Sequence, residues 1–148
     1  MTFGELFVNN KIVTTVLFAC LLAQSAKIIY LLVTTKKIDL KRFIGTGGMP
    51  SSHAATVMSL LTCIGRTSGI ESSLFAVTFV FAMVTLYDAT GIRRAAGHQA
   101  EVLNKIIENW EEGETLRERR LKELLGHTPM EVFWGCLLGI AVGMLASL

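Results

Sequence analysis

The sequence predicts an all-α integral membrane bundle, and three observations carry that expectation. Half of the chain is apolar, 51% of 148 residues, and its mean hydropathy is positive at +0.51. Charged residues make up only 18%, fewer than a soluble domain of this length usually carries. Those charges crowd into two stretches and are nearly absent between them, as in membrane proteins.

Four apolar segments follow in order, and residues 1–148 read as a single membrane-embedded domain. The first runs from about Ile12 to Val33, interrupted by Gln24, Ser25 and Lys27. Because a membrane-spanning helix needs roughly 20 apolar residues, Gln24 and Lys27 must face a protein interior or snorkel to an interface. The second, Ala54 to Ile64, is short for a span, so it enters the membrane partly or is shielded by neighbours. The third runs from Ser72 to Tyr87 and the fourth from Val132 to Leu148. Gly65 to Glu71 should form a tight hairpin between the second and third segments.

The connection from Asp88 to Met130 holds its own amphipathic helices. Ala95, Val102, Leu103, Ile106, Ile107 and Trp110 recur at the helical period over Arg94 to Trp110. Glu114 to Leu125 makes a second, charged helix with a Glu118/Lys122 pair. If all four apolar segments cross, Lys36, Lys37, Lys41, Arg42, Arg93, Arg94, Lys105, Arg117, Arg119, Arg120 and Lys122 share one side. Only Lys11 and Arg66 lie on the other. The positive-inside rule then places the long connections in the cytoplasm. Met1 to Asn10 shows no cleavable signal pattern.

Several function classes recede on composition. A net charge of +2 does not call for nucleic acid as a partner. Cys20, Cys63 and Cys136 all sit in apolar segments and read as small buried hydrophobes, so no disulfide set, metal site or cofactor is expected.

Three clusters can carry chemistry, each at the end of an apolar segment that faces the same side of the membrane. Gly45-Thr46-Gly47-Gly48-Met49-Pro50-Ser51-Ser52-His53 precedes the second segment. Its glycines admit close backbone approach, and Ser51, Ser52 and His53 would sit in a first helical turn, where free N–H groups and the dipole favour anions. Lys41 and Arg42 lie just upstream. The same stretch equally suits a plain glycine turn with a serine cap. Tyr87-Asp88-Ala89-Thr90-Gly91-Ile92-Arg93-Arg94 closes the third segment. Paired arginines match phosphate oxygens but also anchor helix ends to headgroups, and Asp88 can orient one of them. Gly126-His127-Thr128-Pro129-Met130-Glu131 opens the fourth segment. Thr128 and Glu131 form a capping box with Pro129 in the first turn. His127, four residues before Glu131, has the pattern of an oriented nucleophile. His98 is its rival, with Glu101 three residues on, although Arg94, His98 and Glu101 share a face that can simply be solvated.

Taken together, Gly47-Gly48-Met49-Pro50-Ser51-Ser52-His53, Asp88-Ala89-Thr90-Gly91-Ile92-Arg93-Arg94 with Gln99-Ala100 and Leu103-Asn104, and Gly126-His127-Thr128-Pro129 resemble the divergent branch of the type 2 phosphatidic acid phosphatase superfamily. That superfamily includes lipid phosphatases and vanadium haloperoxidases. The resemblance covers the chain from about Lys36 onward. It implies His127 as nucleophile, Glu131 as its orienting acid and His53 as general acid. Lys41, Arg42, Ser51, Ser52, Arg93 and Arg94 would bind phosphate, with Asp88, His98 and Glu101 in support. The chain departs from the superfamily pattern at Ser52, where a glycine is usual, and at Glu131, where an aspartate is usual. More than thirty residues separate Arg94 from His127, where the superfamily has a handful.

The expected activity is metal-independent hydrolysis of a lipid phosphomonoester or pyrophosphate through a phosphohistidine. A cytoplasmic site in a bacterial plasma membrane would favour phosphatidylglycerophosphate or phosphatidic acid; a polyprenyl pyrophosphate is the alternative substrate. The bilayer and the lipid phosphate are the expected partners, and a homodimer could supply walls that so few helices lack. The contrasting expectation is a scaffold or assembly subunit that keeps the fold without turnover.

Overall fold

The computed structural model describes residues 9–35, 48–109 and 126–148. Lys41, Arg42 and the expected helix from Glu114 to Leu125 lie outside the described residues. The described chain is all-helical: α1 (Lys11–Thr35), α2 (Ser52–Ser68), α3 (Ser73–Tyr87), a π turn (Asp88–Ile92), α4 (Arg93–Asn109) and α5 (Pro129–Leu145). Lys11–Tyr30 and the continuous helix Ser73–Ile107 are long and apolar enough to cross a membrane, and Pro129–Leu145 is a shorter apolar helix. The fold is a helical membrane bundle.

Local signals start most of these elements. Asn10 caps α1, its Oδ1 accepting the N–H groups of Ile12 and Val13. Ser51 caps α2 and Ser72 caps α3, each hydroxyl accepting the N–H three residues on. Thr128 and Glu131 complete the expected capping box at α5, with Pro129 in the first turn. The hairpin is tighter than Gly65 to Glu71. Helix α2 runs through Gly65 to Ser68, and the reversal is made at Gly69, whose φ of 83° suits glycine.

Helix α2 is the centre of the bundle and packs against α1, α3 and α5. Toward α3 it buries Val57 and Leu61 against Ala82. Toward α5 it meets a stripe of glycines, Gly135, Gly139 and Gly143. A Cβ at Gly135 would overlap the Ser51 carbonyl, and one at Gly139 the Ala55 carbonyl. With no hydrophobic gain between helices in lipid, such close backbone approach is how they adhere. At the far end, Arg66 donates to the carbonyls of Gly143 at 2.7 Å and Ala146 at 2.9 Å, capping α5.

Helix α4 differs from expectation in two ways. It is not a separate element but continues α3 through the π turn. Its apolar stripe also does not pack inward: Val102, Leu103 and Ile106 are exposed, whereas Ala100 and Asn104 are buried. The helix has three stripes, apolar, charged and small, and the small one permits the closest approach.

Candidate active site

The Ser51–His53 turn, the π turn and the His127–Glu131 turn meet at one end of the bundle, and backbone contacts hold them together. The Ser51 N–H donates to the Glu131 carbonyl at 2.9 Å, and the His127 N–H to the Ala89 carbonyl at 2.9 Å. Gly126, with φ of 94°, lies on the backbone of Arg93 and Arg94; a Cβ there would come within 2.5 Å of the Arg94 nitrogen. The hydrogen bond and the glycine contact fix the start of α5 against the end of α3.

The π turn also sets one cation. The N–H of Arg93 bonds to the Asp88 carbonyl five residues back. Five residues of α-helix would turn the two side chains about 140° apart. The wider turn brings them together, with the Arg93 Nε at 2.6 Å from Asp88 Oδ2. The sequence did not choose between Arg93 and Arg94; both are exposed, and the π turn pairs the Arg93 side chain with Asp88.

His127 is the most constrained group. It is only 3% exposed, and its Nδ1 lies 3.0 Å from Glu131 Oε2. The same carboxylate oxygen accepts the Thr128 N–H at 3.1 Å. A carboxylate only accepts, so Nδ1 carries the proton and Nε2 keeps its lone pair. That Nε2 is buried and has no hydrogen-bond partner. The His53 and His127 rings pack edge-on, with centroids 6.0 Å apart. Burial pushes the His127 imidazole below the ordinary histidine value. The hydrogen bond and charge of Glu131 pull it up without reversing the shift, and the charges of Lys27 and His53 push it further down.

A family model for the divergent PAP2 family matches residues 8–142. The chain belongs to the divergent PAP2 family. It is 40% identical, over an alignment of 154 residues covering 97% of each chain, to the uncharacterized membrane protein YuiD of Bacillus subtilis (strain 168). No solved structure matches the chain. The divergent PAP2 assignment makes this a phosphatase-related membrane protein.

Against the site expected for a divergent PAP2 protein, the structure sorts the named residues. His53, His127, Glu131, Asp88 and Arg93 come together: the charges of Arg93 and Asp88 both bear on His53. Ser51 is fully buried and its hydroxyl is engaged as the α2 cap. Ser52 is buried in the first turn beside it. His98 and Glu101 pair with each other at 3.7 Å on exposed flanks of α4, and Glu101 also accepts from Lys105 at 2.7 Å. Among the described residues, no group of three or more metal-ligating side chains occurs. The residue that motif reading left out is Lys27. It is 8% exposed, its stem lies along Gly48, and its charge bears on both histidines. A lone cation in an apolar span was the available signal.

Proposed function

We propose that the protein hydrolyses a lipid phosphomonoester through a phosphohistidine on His127. The observation that carries this reading is the buried, unpartnered Nε2 of an imidazole whose other nitrogen is held by Glu131 and whose ring packs edge-on with that of His53. The Nε2 lone pair attacks phosphorus, and the bond from phosphorus to the lipid oxygen breaks. His53, exposed at the mouth of the site, gives its proton to the departing alkoxide. Glu131 stabilises the positive charge that develops on the phosphorylated ring. His53 then takes a proton from water as its oxygen attacks phosphorus; the P–N bond breaks and inorganic phosphate leaves. Arg93, held by Asp88, faces the charge on the equatorial oxygens. No step calls on a metal ion.

The test uses the full chain in nanodiscs with lipids labelled in the phosphate, phosphatidic acid and phosphatidylglycerophosphate among them. Acid-labile, alkali-stable label should appear on the wild type and be absent from His127→Ala, and a chelator should leave the rate unchanged. Label persisting in His127→Ala, or no hydrolysis of any lipid phosphate, would overturn the reading.

A pH dependence follows from the burial of His127. The nucleophile must be neutral, and its folded value lies below the ordinary 6.5. The acid limb of kcat/KM should therefore fall below pH 6.5. His53 must be protonated when substrate is bound, a form the phosphate charge favours, so it sets the alkaline limb of kcat, which reports the complex. An acid limb above that value would contradict the assignment of His127.

A further inference from the structure

The far end of the bundle carries features that hydrolysis does not use. Helix α5 starts beside the histidines and ends at Leu145. Its 17 residues put that end about 25 Å away at 1.5 Å per residue. There α1 and α5, which both pack on α2, leave an open groove of about 420 Å³ between them. Phe18 and Leu22 line it from α1, and Val142, Leu145 and the cap residue Ala146 line it from α5. Thr14 and Thr15 complete the lining, but their hydroxyls donate back to the carbonyls of Asn10 and Lys11. The groove surface is therefore almost wholly apolar. From Thr14 to Leu22 it runs about 12 Å along α1 at 1.5 Å per residue, from the end of the bundle toward its middle. Its volume lies in the range of ligand clefts, roughly 300–1,000 Å³. Empty, it would forfeit dispersion contacts of the side chains that line it. The apolar material at hand in a bilayer is an acyl chain.

A cation stands where such a chain would meet its headgroup. The Arg66 Nη1 donates to the carbonyls of Gly143 at 2.7 Å and Ala146 at 2.9 Å. Ala146 thus belongs to both the groove and the cation's anchor. Nη1 spends its protons on those two carbonyls. The N–H groups of Nε and Nη2 form the fork that matches two phosphate oxygens. Among the described residues that fork has no partner, and Arg66 is exposed. We propose that this end of the bundle binds one diacyl phospholipid, with an acyl chain in the α1–α5 groove and the phosphodiester on the free fork of Arg66. The cation is at the outer end of the groove and the apolar lining continues inward, the order in which a bilayer lipid presents its own parts. A second copy of the chain would bring an apolar helix face to the groove and no anion to Arg66. The bound lipid ties α1 to the end of α5 and, through Arg66, to α2.

The experiment titrates dioleoyl phosphatidylglycerol into the full chain in detergent micelles, counts bound lipid by native mass spectrometry and follows thermal melting. The wild type should hold one lipid and melt higher with it, since a ligand of the folded state stabilises that state. Arg66→Gln should weaken binding at least about tenfold, the scale of one charge-assisted hydrogen bond. Arg66→Lys keeps a cation for the α5 carbonyls but loses the fork. It should melt like the wild type without lipid and bind severalfold more weakly. Thr14→Trp fills the groove from an exposed position and should also weaken binding at least about tenfold. Diolein, with the same chains and no phosphate, should bind at least about tenfold more weakly than the phospholipid. Glycerol 3-phosphate, a phosphate without chains, should not displace the lipid. Wild-type affinity in Arg66→Lys or in Thr14→Trp overturns the proposal, and these two variants decide it if Arg66→Gln does not fold. A lipid held at the histidines instead would be insensitive to all three substitutions. Equal retention of diolein overturns the phosphate contact, and displacement by glycerol 3-phosphate overturns the acyl-chain groove. A lipid-free wild-type dimer that Thr14→Trp splits overturns the proposal and gives the groove to a second copy.

Discussion

His127→Gln is expected to reduce phosphate release from lipid phosphomonoesters by at least about three orders of magnitude, the scale of removing a nucleophile whose partners remain. The variant should fold, because the backbone N–H that bonds Ala89 is unaffected and the capping box does not use the imidazole. His98→Gln is the informative control. Its ring is exposed and paired with Glu101, so its rate should stay close to that of the wild type. Steady-state phosphate release from the two variants, side by side in nanodiscs, decides the matter. A dead His98→Gln beside an active His127→Gln would move the chemistry to the exposed face of α4.

Gly135→Ala should produce the largest loss of stability for the smallest chemical change. The added methyl would strike the Ser51 carbonyl and also sit 2.8 Å from the Ala54 Cβ. Backbone cannot rotate aside as a side chain can, so α5 must move away from α2. Overpacking of this kind costs about 1–3 kcal/mol, occasionally more. Activity should fall as well, because the displaced segment is the one bonded from Ser51 to Glu131 and His53 follows it directly. Gly69→Ala provides the contrast. That glycine has a φ of 83° but nothing within 4 Å, so the methyl adds backbone strain of about 1 kcal/mol far from the histidines. Melting curves and phosphate release for both variants are the measurement; equal melting of Gly135→Ala and wild type would show that the helix contact is not as close as described.

What the sequence made legible follows from the range of the forces involved. The helices could be read because an apolar run and its cap are local: Ser51, Ser72 and the Thr128–Glu131 box all start helices as their chemistry requires. The meeting of the segments around His53 and His127 could be anticipated only because each lies at the start of an apolar helix. The destination of Lys27 could not be read, since which face of α1 meets α2 depends on Ala19 and Ala23 fitting a partner surface. Arg93 and Arg94 were indistinguishable for a related reason. One extra residue in the turn at Asp88–Ile92 rotates everything after it, and no local pattern announces that residue. Gly135, Gly139 and Gly143 did carry a readable spacing, four apart in an apolar segment, but their meaning needed the carbonyls of Ser51 and Ala55. Ser51 illustrates the reverse case: cap and anion ligand were equally good readings, and the hydroxyl accepts the Ala54 N–H as a cap while its own O–H stays a donor.

The contact of Gly126 with Arg93 and Arg94, and the bond from His127 to Ala89, close a ring at their base. The chain leaves this closure after Arg94 and is back at it by Gly126. The arginine and the nucleophile are spatial neighbours whatever length of polypeptide is paid out between them. A long separation in sequence then says nothing against their working together.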